Sequence, residues 1–309
     1  MMLKRLRIFL SPVDFVSITF LSILIVLNLI FADRVREWAV LVFVNIVVIG
    51  GIAWLAHTAE RKQSKLFIGL HRWYCYPIIL FVFKEIYLMV HPIHPTDYDA
   101  LLMSIDWWVF GVNPTQWFFQ FAHPILTEIL QLAYFSYYLL FIIMGVEVYR
   151  RYPIEEFDHA AFLIVYGFYL SYIGYFALPG IGPRFTVHDF SAMNSELPGL
   201  LLTEPIRTFI NTAESIRPGI SNPQDFVQRD IFPSGHTQLS LITLFLGFRY
   251  NLKSRWTLAS LASLLIVGTV YLRYHYVVDL FGGVVFFLVS IWTGDKIRNW
   301  WIGKNAAKE

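Results

Sequence analysis

Three short stretches of this 309-residue chain carry residue types that suit chemistry on a phosphoryl group. Pro233-Ser234-Gly235-His236-Thr237 stands directly before a long apolar run. About forty residues on, Arg273-Tyr274-His275-Tyr276-Val277-Val278-Asp279 precedes another, and about fifty residues before Ser234, Gly180-Ile181-Gly182-Pro183-Arg184 follows one. His275 and Asp279 are spaced i, i+4, which puts them on one face of a helix. The carboxylate can then accept from one imidazole nitrogen, fix the tautomer and leave the other nitrogen as nucleophile or base. Taken alone, the pair reads equally well as a capped helix start.

Ser234 and Gly235 suit a tight turn in which Ser caps the following helix, whose first N–H groups form a cradle for an anion. His236 stands at the mouth of that cradle, placed to protonate a leaving oxygen. Arg184 and Arg273 add fixed positive forks that match phosphate oxygens. Each feature has an ordinary explanation: an N-cap for the Ser-Gly turn, interfacial snorkelling for the arginines. Their combination does not, because phosphoryl transfer needs positive charge, a nucleophile and an acid in one place.

The surrounding elements must be membrane helices. The chain is 57% hydrophobic and 15% charged, with a mean hydropathy of +0.55, against roughly 25% charge in soluble domains. These values point to an all-α, polytopic membrane bundle. The net charge of +2 argues against a nucleic-acid partner. Cys75 is the only cysteine, which excludes an intrachain disulfide and a Cys-based metal cluster. No glycosylation sequon is present, which favours a bacterial source. The basic N-terminus (Lys4, Arg5, Arg7) followed by an apolar run lacks a small-x-small cleavage site and reads as a retained anchor helix.

Eight spans are expected, at about 14–32, 38–56, 70–90, 125–148, 160–178, 236–250, 256–272 and 276–292. The sixth is short and is expected to gain a turn through Asn251–Lys253. With the N-terminus inside, the inner segments hold Lys4, Arg5, Arg7, Arg61, Lys62, Lys65, Arg150, Arg151, Arg249, Lys253, Arg255, Lys296, Arg298, Lys304 and Lys308. The outer segments hold about half as many: Arg34, Arg36, Arg184, Arg207, Arg217, Arg229 and Arg273. This positive-inside bias places both termini in the cytoplasm and all three chemical stretches at the outer face of a plasma or bacterial inner membrane. Residues 1–66 read as an added two-helix hairpin and 67–309 as a six-helix catalytic core.

Of two long outer loops, 91–124 is dense in Trp and Phe and is expected to lie half-buried in the headgroup layer, as an aromatic belt or a lipid-entry rim. The other, 180–233, is expected to hold one short amphipathic helix. Lys84 and Glu85 lie inside the third span, where a structural interhelical pairing is the default reading. Glu128 and Glu147, near the ends of the fourth, are expected to reach water.

Pro233-Ser234-Gly235-His236 resembles the central block of the type 2 phosphatidic acid phosphatase superfamily. His275-x-x-x-Asp279 with Gly282-Gly283 is similar to its last block, and Arg184 to the arginine of its first. The resemblance covers roughly 70–292. It implies that His275 is the nucleophile, that Asp279 orients it and that His236 protonates the leaving group. It further implies that Arg184, Ser234 and Gly235 bind phosphate and that no metal or other cofactor takes part. Ala177 and Thr269 stand where the family usually has Lys and Arg, and Pro183 precedes rather than follows Arg184. This pattern resembles the branch that includes inositol phosphorylceramide synthase, with Arg273 as the substitute for the missing arginine.

The reading that follows is an integral-membrane lipid phosphatase that cleaves a lipid phosphomonoester or diphosphate through a phosphohistidine. The alternative is a phosphotransferase that passes a phospho-headgroup to an alcohol. A transporter would need more polar residues at the bundle midplane, and a vanadate-type peroxidase would be soluble. The partners implied are a lipid phosphate and the bilayer; the identity of the lipid and the oligomeric state stay open.

Overall fold

A computed structural model describes residues 9–217 and 219–303. Of the basic residues that weigh in the topology, Lys4, Arg5, Arg7, Lys304 and Lys308 lie outside these. The described residues form helices and connecting turns with no strand. In chain order the α-helices are α1 (Pro12–Ile30), α2 (Trp38–Lys62), α3 (Lys65–Trp73), α4 (Cys75–Ile93), α5 (Asp99–Phe110), α6 (Pro114–Phe119), α7 (Pro124–Phe135) and α8 (Tyr137–Arg151). There follow α9 (Ile154–Ala177), α10 (Pro183–Thr186), α11 (Met193–Glu196), α12 (Thr203–Ala213), α13 (Gly235–Arg249), α14 (Arg255–Tyr271) and α15 (Val277–Trp301).

The protein is a polytopic helical bundle. Among the described residues five segments are long and apolar enough to cross a membrane: α1, α2, α3 with α4, α9 and α15. A sixth is formed if α7 and α8, bent by 50° to each other, count as one. This is fewer than the eight expected. Helices stand at all eight places, but α13 and α14 have only 15 and 17 residues, about 22 and 26 Å at 1.5 Å per residue. The expected extra turn on α13 does not form. Asn251 adopts a left-handed φ of 44°, and the Leu252 amide folds back to the Gly247 carbonyl at 2.9 Å, which closes the helix.

The chain divides into two compact units. One comprises residues up to Pro95, Val148–Tyr172 and residues from Leu288; the other comprises Thr96–Glu147 and Ile173–Phe287. In the first, α1 begins with a capping box. The Ser11 hydroxyl accepts from the Asp14 amide at 3.2 Å, and the Asp14 carboxylate accepts from the Ser11 amide at 2.7 Å. Phe20 stacks on Tyr169 at 4.5 Å, and the Tyr172 hydroxyl donates to the Ile79 carbonyl at 3.0 Å. Together these fasten α1, α4 and α9.

The second unit carries all three chemical stretches. Its core joins Leu130 and Tyr134 of α7, Ile206 and Ile210 of α12, and Tyr271, Leu272 and Tyr274. The aromatic segment 91–124 folds as two helices, α5 and α6, with Trp107 and Trp108 exposed. The second loop holds the expected amphipathic helix as α12. Glu128 does not face water, which corrects the reading above, whereas Glu147 is only half-buried. Glu128 is buried and accepts from the amides of Leu200, Leu202 and Thr203 at 2.8, 2.6 and 3.2 Å. Glu147 accepts from the Lys253 amide at 2.7 Å and the Ser254 hydroxyl at 2.6 Å. Both carboxylates neutralise free N–H groups at a helix start.

Candidate active site

The three stretches are joined through their backbones. The Ser234 amide donates to the Asp279 carbonyl at 2.9 Å, and the Arg184 amide to the Arg273 carbonyl at 3.0 Å. Gly182 makes the second approach possible: its φ is +93°, and a β-carbon there would lie 2.8 Å from Ile231 Cδ1 and 3.0 Å from the Tyr274 carbonyl. Gly283 plays the same part for the first. A β-carbon on it would come within 2.7 Å of the Ser234 carbonyl, so α15 can lie against the start of α13 only with glycine there.

Ser234 is the N-cap of α13, and its hydroxyl accepts from the Thr237 amide at 3.2 Å. The Gly235 and His236 amides, ahead of the first intrahelical bond, keep the positive end of the helix open. His236 is half-buried between the rings of Tyr134 and Tyr137, 4.5 and 4.3 Å away. Its ring centroid lies 5.6 Å from that of His275, with the planes at 64°.

His275 sits in the sharp connection from α14 to α15. The Thr269 carbonyl accepts from both Tyr274 and His275 amides, at 2.9 and 3.0 Å. Arg273 takes a left-handed φ of 65° to make the turn, a conformation that costs about 1–2 kcal/mol in a residue with a side chain. The buried Asp279 holds His275 Nδ1 at 3.3 Å and accepts from the Tyr276 amide at 2.9 Å through the same oxygen. Burial pushes the His275 pKa well below its ordinary 6.5. The charges of His236 and Arg184 act the same way, and the Ile231 carbonyl opposes them. A neutral imidazole held by a carboxylate can act as a nucleophile.

The two arginines are placed differently. Both are buried. The Arg184 guanidinium is ion-paired with Glu214, reaches Asn211 at 3.4 Å and lies 4.9 Å from the Tyr274 ring. Tyr274 stacks on Tyr134 at 4.3 Å, and Tyr134 on His236, so Arg184 closes one side of the histidine pair. Arg273 contributes its carbonyl to this region, but its guanidinium pairs with Glu196 and lies over Phe119 at 5.1 Å. Burial, with the charge of Arg273 as a smaller cause, pushes His188 down to about 4.

Several residues that support the site were not singled out in the sequence. Asp99 of α5 accepts from the Ile181 and Gly182 amides at 2.9 and 2.7 Å and from the Tyr276 hydroxyl at 3.0 Å. Asp106, two turns on, accepts from the Val277 and Val278 amides, each at 2.8 Å, and so caps α15. Burial pushes the pKa of each up, and the backbone amides pull it back. Two carboxylates seven apart on one face of an otherwise apolar helix were the available signal. Glu214 and Glu196 gave none, since charged residues are ordinary in a loop.

Two cavities border these elements. One of about 650 Å³ is lined by Phe185, His188, Asn211 and Arg217 among others. Another of about 480 Å³ is almost wholly apolar, lined by Trp117, Phe118, Val267 and Val270, and reaches Val277. Among the described residues no group of three or more His, Cys, Asp or Glu is placed to hold a metal ion.

A family model described as "PAP2 superfamily" matches residues 100–293, a range that contains all three stretches. No curated protein and no solved structure matches the chain.

Proposed function

From the premise that this chain belongs to the PAP2 superfamily, and is thereby a lipid enzyme of the phosphatase and phosphotransferase type set in a membrane, we propose that it cleaves a lipid phosphomonoester or diphosphate at the outer membrane face through a phosphohistidine. The observation that carries this reading is the pair of imidazoles 5.6 Å apart beside the open start of α13.

In the proposed reaction the phosphate rests on the Gly235 and His236 amides, the Ser234 turn and Arg184. The neutral His275, held through Nδ1 by Asp279, attacks phosphorus with Nε2. A P–N bond forms as the P–O ester bond breaks, and protonated His236 gives its proton to the departing lipid oxygen. Water then attacks phosphorus and loses its proton to His236. The P–N bond breaks, which releases phosphate and restores His275. The apolar cavity beside Trp117 and Val277 is suited to an acyl chain, and the exposed Trp107 and Trp108 to the headgroup layer. Arg273, paired with Glu196, acts on the site through its carbonyl and the turn it forms.

One observation favours transfer to an alcohol as the second reading. The 650 Å³ cavity is lined by Asn211, to which Arg184 donates, and has room and hydrogen-bonding groups for a polyol acceptor, which suits the reading as a relative of inositol phosphorylceramide synthase.

The test is to trap a radiolabelled phosphoenzyme from a panel of lipid phosphates. Label bound to histidine is expected, and label retained in a His275→Ala variant would show that the nucleophile is another residue. Phosphate release measured with and without polyols separates hydrolysis from transfer.

A further inference from the structure

In the first compact unit, Asn28 of α1, Asn45 of α2 and Glu85 of α4 meet away from solvent: 0, 0 and 3% exposed. The Asn45 amide nitrogen donates to Glu85 Oε1 at 2.5 Å, and the Asn28 nitrogen reaches the same oxygen at 3.4 Å. Three oxygens of this group, Asn28 Oδ1, Asn45 Oδ1 and Glu85 Oε2, are buried with no hydrogen-bond partner. Each belongs to one of the side chains that meet at Glu85 Oε1. The Asn28 amide cannot be reversed to remove the problem, because its nitrogen also donates to the Leu24 carbonyl at 2.9 Å and a reversed amide would set two oxygens together.

Orphaned acceptors in an apolar interior are costly, and an uncompensated carboxylate more so. A proton on Glu85 Oε2, donated to one asparagine oxygen, would satisfy at most two of the three and leave one. A cation would serve all three. The donors are all oxygen, which selects a hard ion, and the cluster holds one carboxylate, so neutrality selects a single positive charge. Lys84 does not supply it here, since its ammonium lies over the Tyr87 ring. Glu85 stands eight residues before the end of α4, roughly 12 Å of helix at 1.5 Å per residue.

We propose that Asn28, Asn45 and Glu85 form a binding site for a hard monovalent cation such as sodium, which ties the α1–α2 hairpin to α4. The site owes nothing to the phosphoryl chemistry, and its test needs no enzymatic assay. The full chain, purified in detergent, is unfolded thermally at constant ionic strength while choline is exchanged for sodium, potassium or lithium. A saturable rise in Tm with one of these ions is expected, as ligand linkage requires, together with stoichiometric binding of radioactive sodium or its competitor. Glu85→Gln, nearly isosteric, is expected to remove both. The proposal fails if no ion gives a saturable rise, or if Glu85→Gln keeps it. It also fails if wild type and Glu85→Gln are equally stable in choline and neither responds to cations, which would mean a protonated carboxyl. Should Glu85→Gln not fold, direct ion binding to the wild type and to Asn28→Ala decides: no bound ion in the wild type, or unweakened binding in Asn28→Ala, overturns the proposal.

Discussion

The Ser234 amide donates to the Asp279 carbonyl at 2.9 Å, which fixes the start of α13 against the first turn of α15. The Ser234-Gly235 turn and the carboxylate that holds His275 are thereby set by one backbone contact rather than by flexible side chains. Gly283 is what lets the two helices approach so closely.

Substitution of Gly283 by Ala is therefore expected to cost about 1–3 kcal/mol of stability. The new β-carbon would lie 2.7 Å from the Ser234 carbonyl and 2.9 Å from Thr237 Cβ. Thermal unfolding measures the stability loss. An unchanged Tm would show that the helices part without strain.

His275→Ala is expected to lower turnover by at least about a thousandfold and to abolish phosphoenzyme. Asp279→Asn keeps the backbone acceptor for Ser234 but offers the wrong partner to Nδ1. It is expected to cost about 10²–10⁴ in kcat with little change in folding. Single-turnover kinetics with a lipid phosphate distinguishes the two. Equal residual rates in wild type and Asp279→Asn would remove Asp279 from an orienting role.

The pH dependence follows from the burial of His275. Its pKa lies below 6.5, and attack needs the neutral ring, so the acid limb of kcat/KM that reports the nucleophile is expected below pH 6.5. The sign for stability runs with it. Below pH 6.5 the unfolded chain takes up a proton that the folded chain refuses, so this group's contribution is full above pH 6.5 and is lost as pH falls toward the folded pKa. An acid limb above pH 7 that vanishes in His275→Asn would contradict this.

Arg184 and Arg273 are expected to separate in their effects. Arg184→Ala should lower kcat/KM by about 10²–10³ and also destabilise the fold, because Glu214 is left mostly buried and unpaired. Arg273→Ala should act chiefly through Glu196 and the α14–α15 turn, with a smaller kinetic effect. Unchanged turnover in Arg273→Ala would exclude it as a replacement for the arginine absent at Thr269.

Glu214 is ion-paired with Arg184, so in the proposed reaction it would compete with phosphate for that guanidinium. Glu214→Gln is expected to tighten inhibition by inorganic phosphate or vanadate by about tenfold or more. Weaker inhibition would mean that Glu214 positions Arg184 for the anion rather than opposing it.

The sequence by itself determined the class of protein and the chemical pieces. Apolar runs with basic flanks specify membrane helices wherever they occur. Ser-Gly-His before one run and His-x-x-x-Asp at the start of another are local patterns visible in the chain, and their occurrence together is what points to phosphoryl chemistry. Tertiary structure decided what depends on which remote groups meet. Arg184 and Arg273 look alike in sequence, yet one guanidinium borders the histidines and the other turns to Glu196 and Phe119. Glu128 and Glu147 look like water-facing ends of a span but neutralise helix starts more than seventy residues away. Asp99 and Asp106 bind backbone amides of the first and last stretches, and Glu85 gathers asparagines from two other helices. A hydrogen bond between remote segments forms only when packing brings donor and acceptor within about 3 Å, and neither partner's local sequence records that distance.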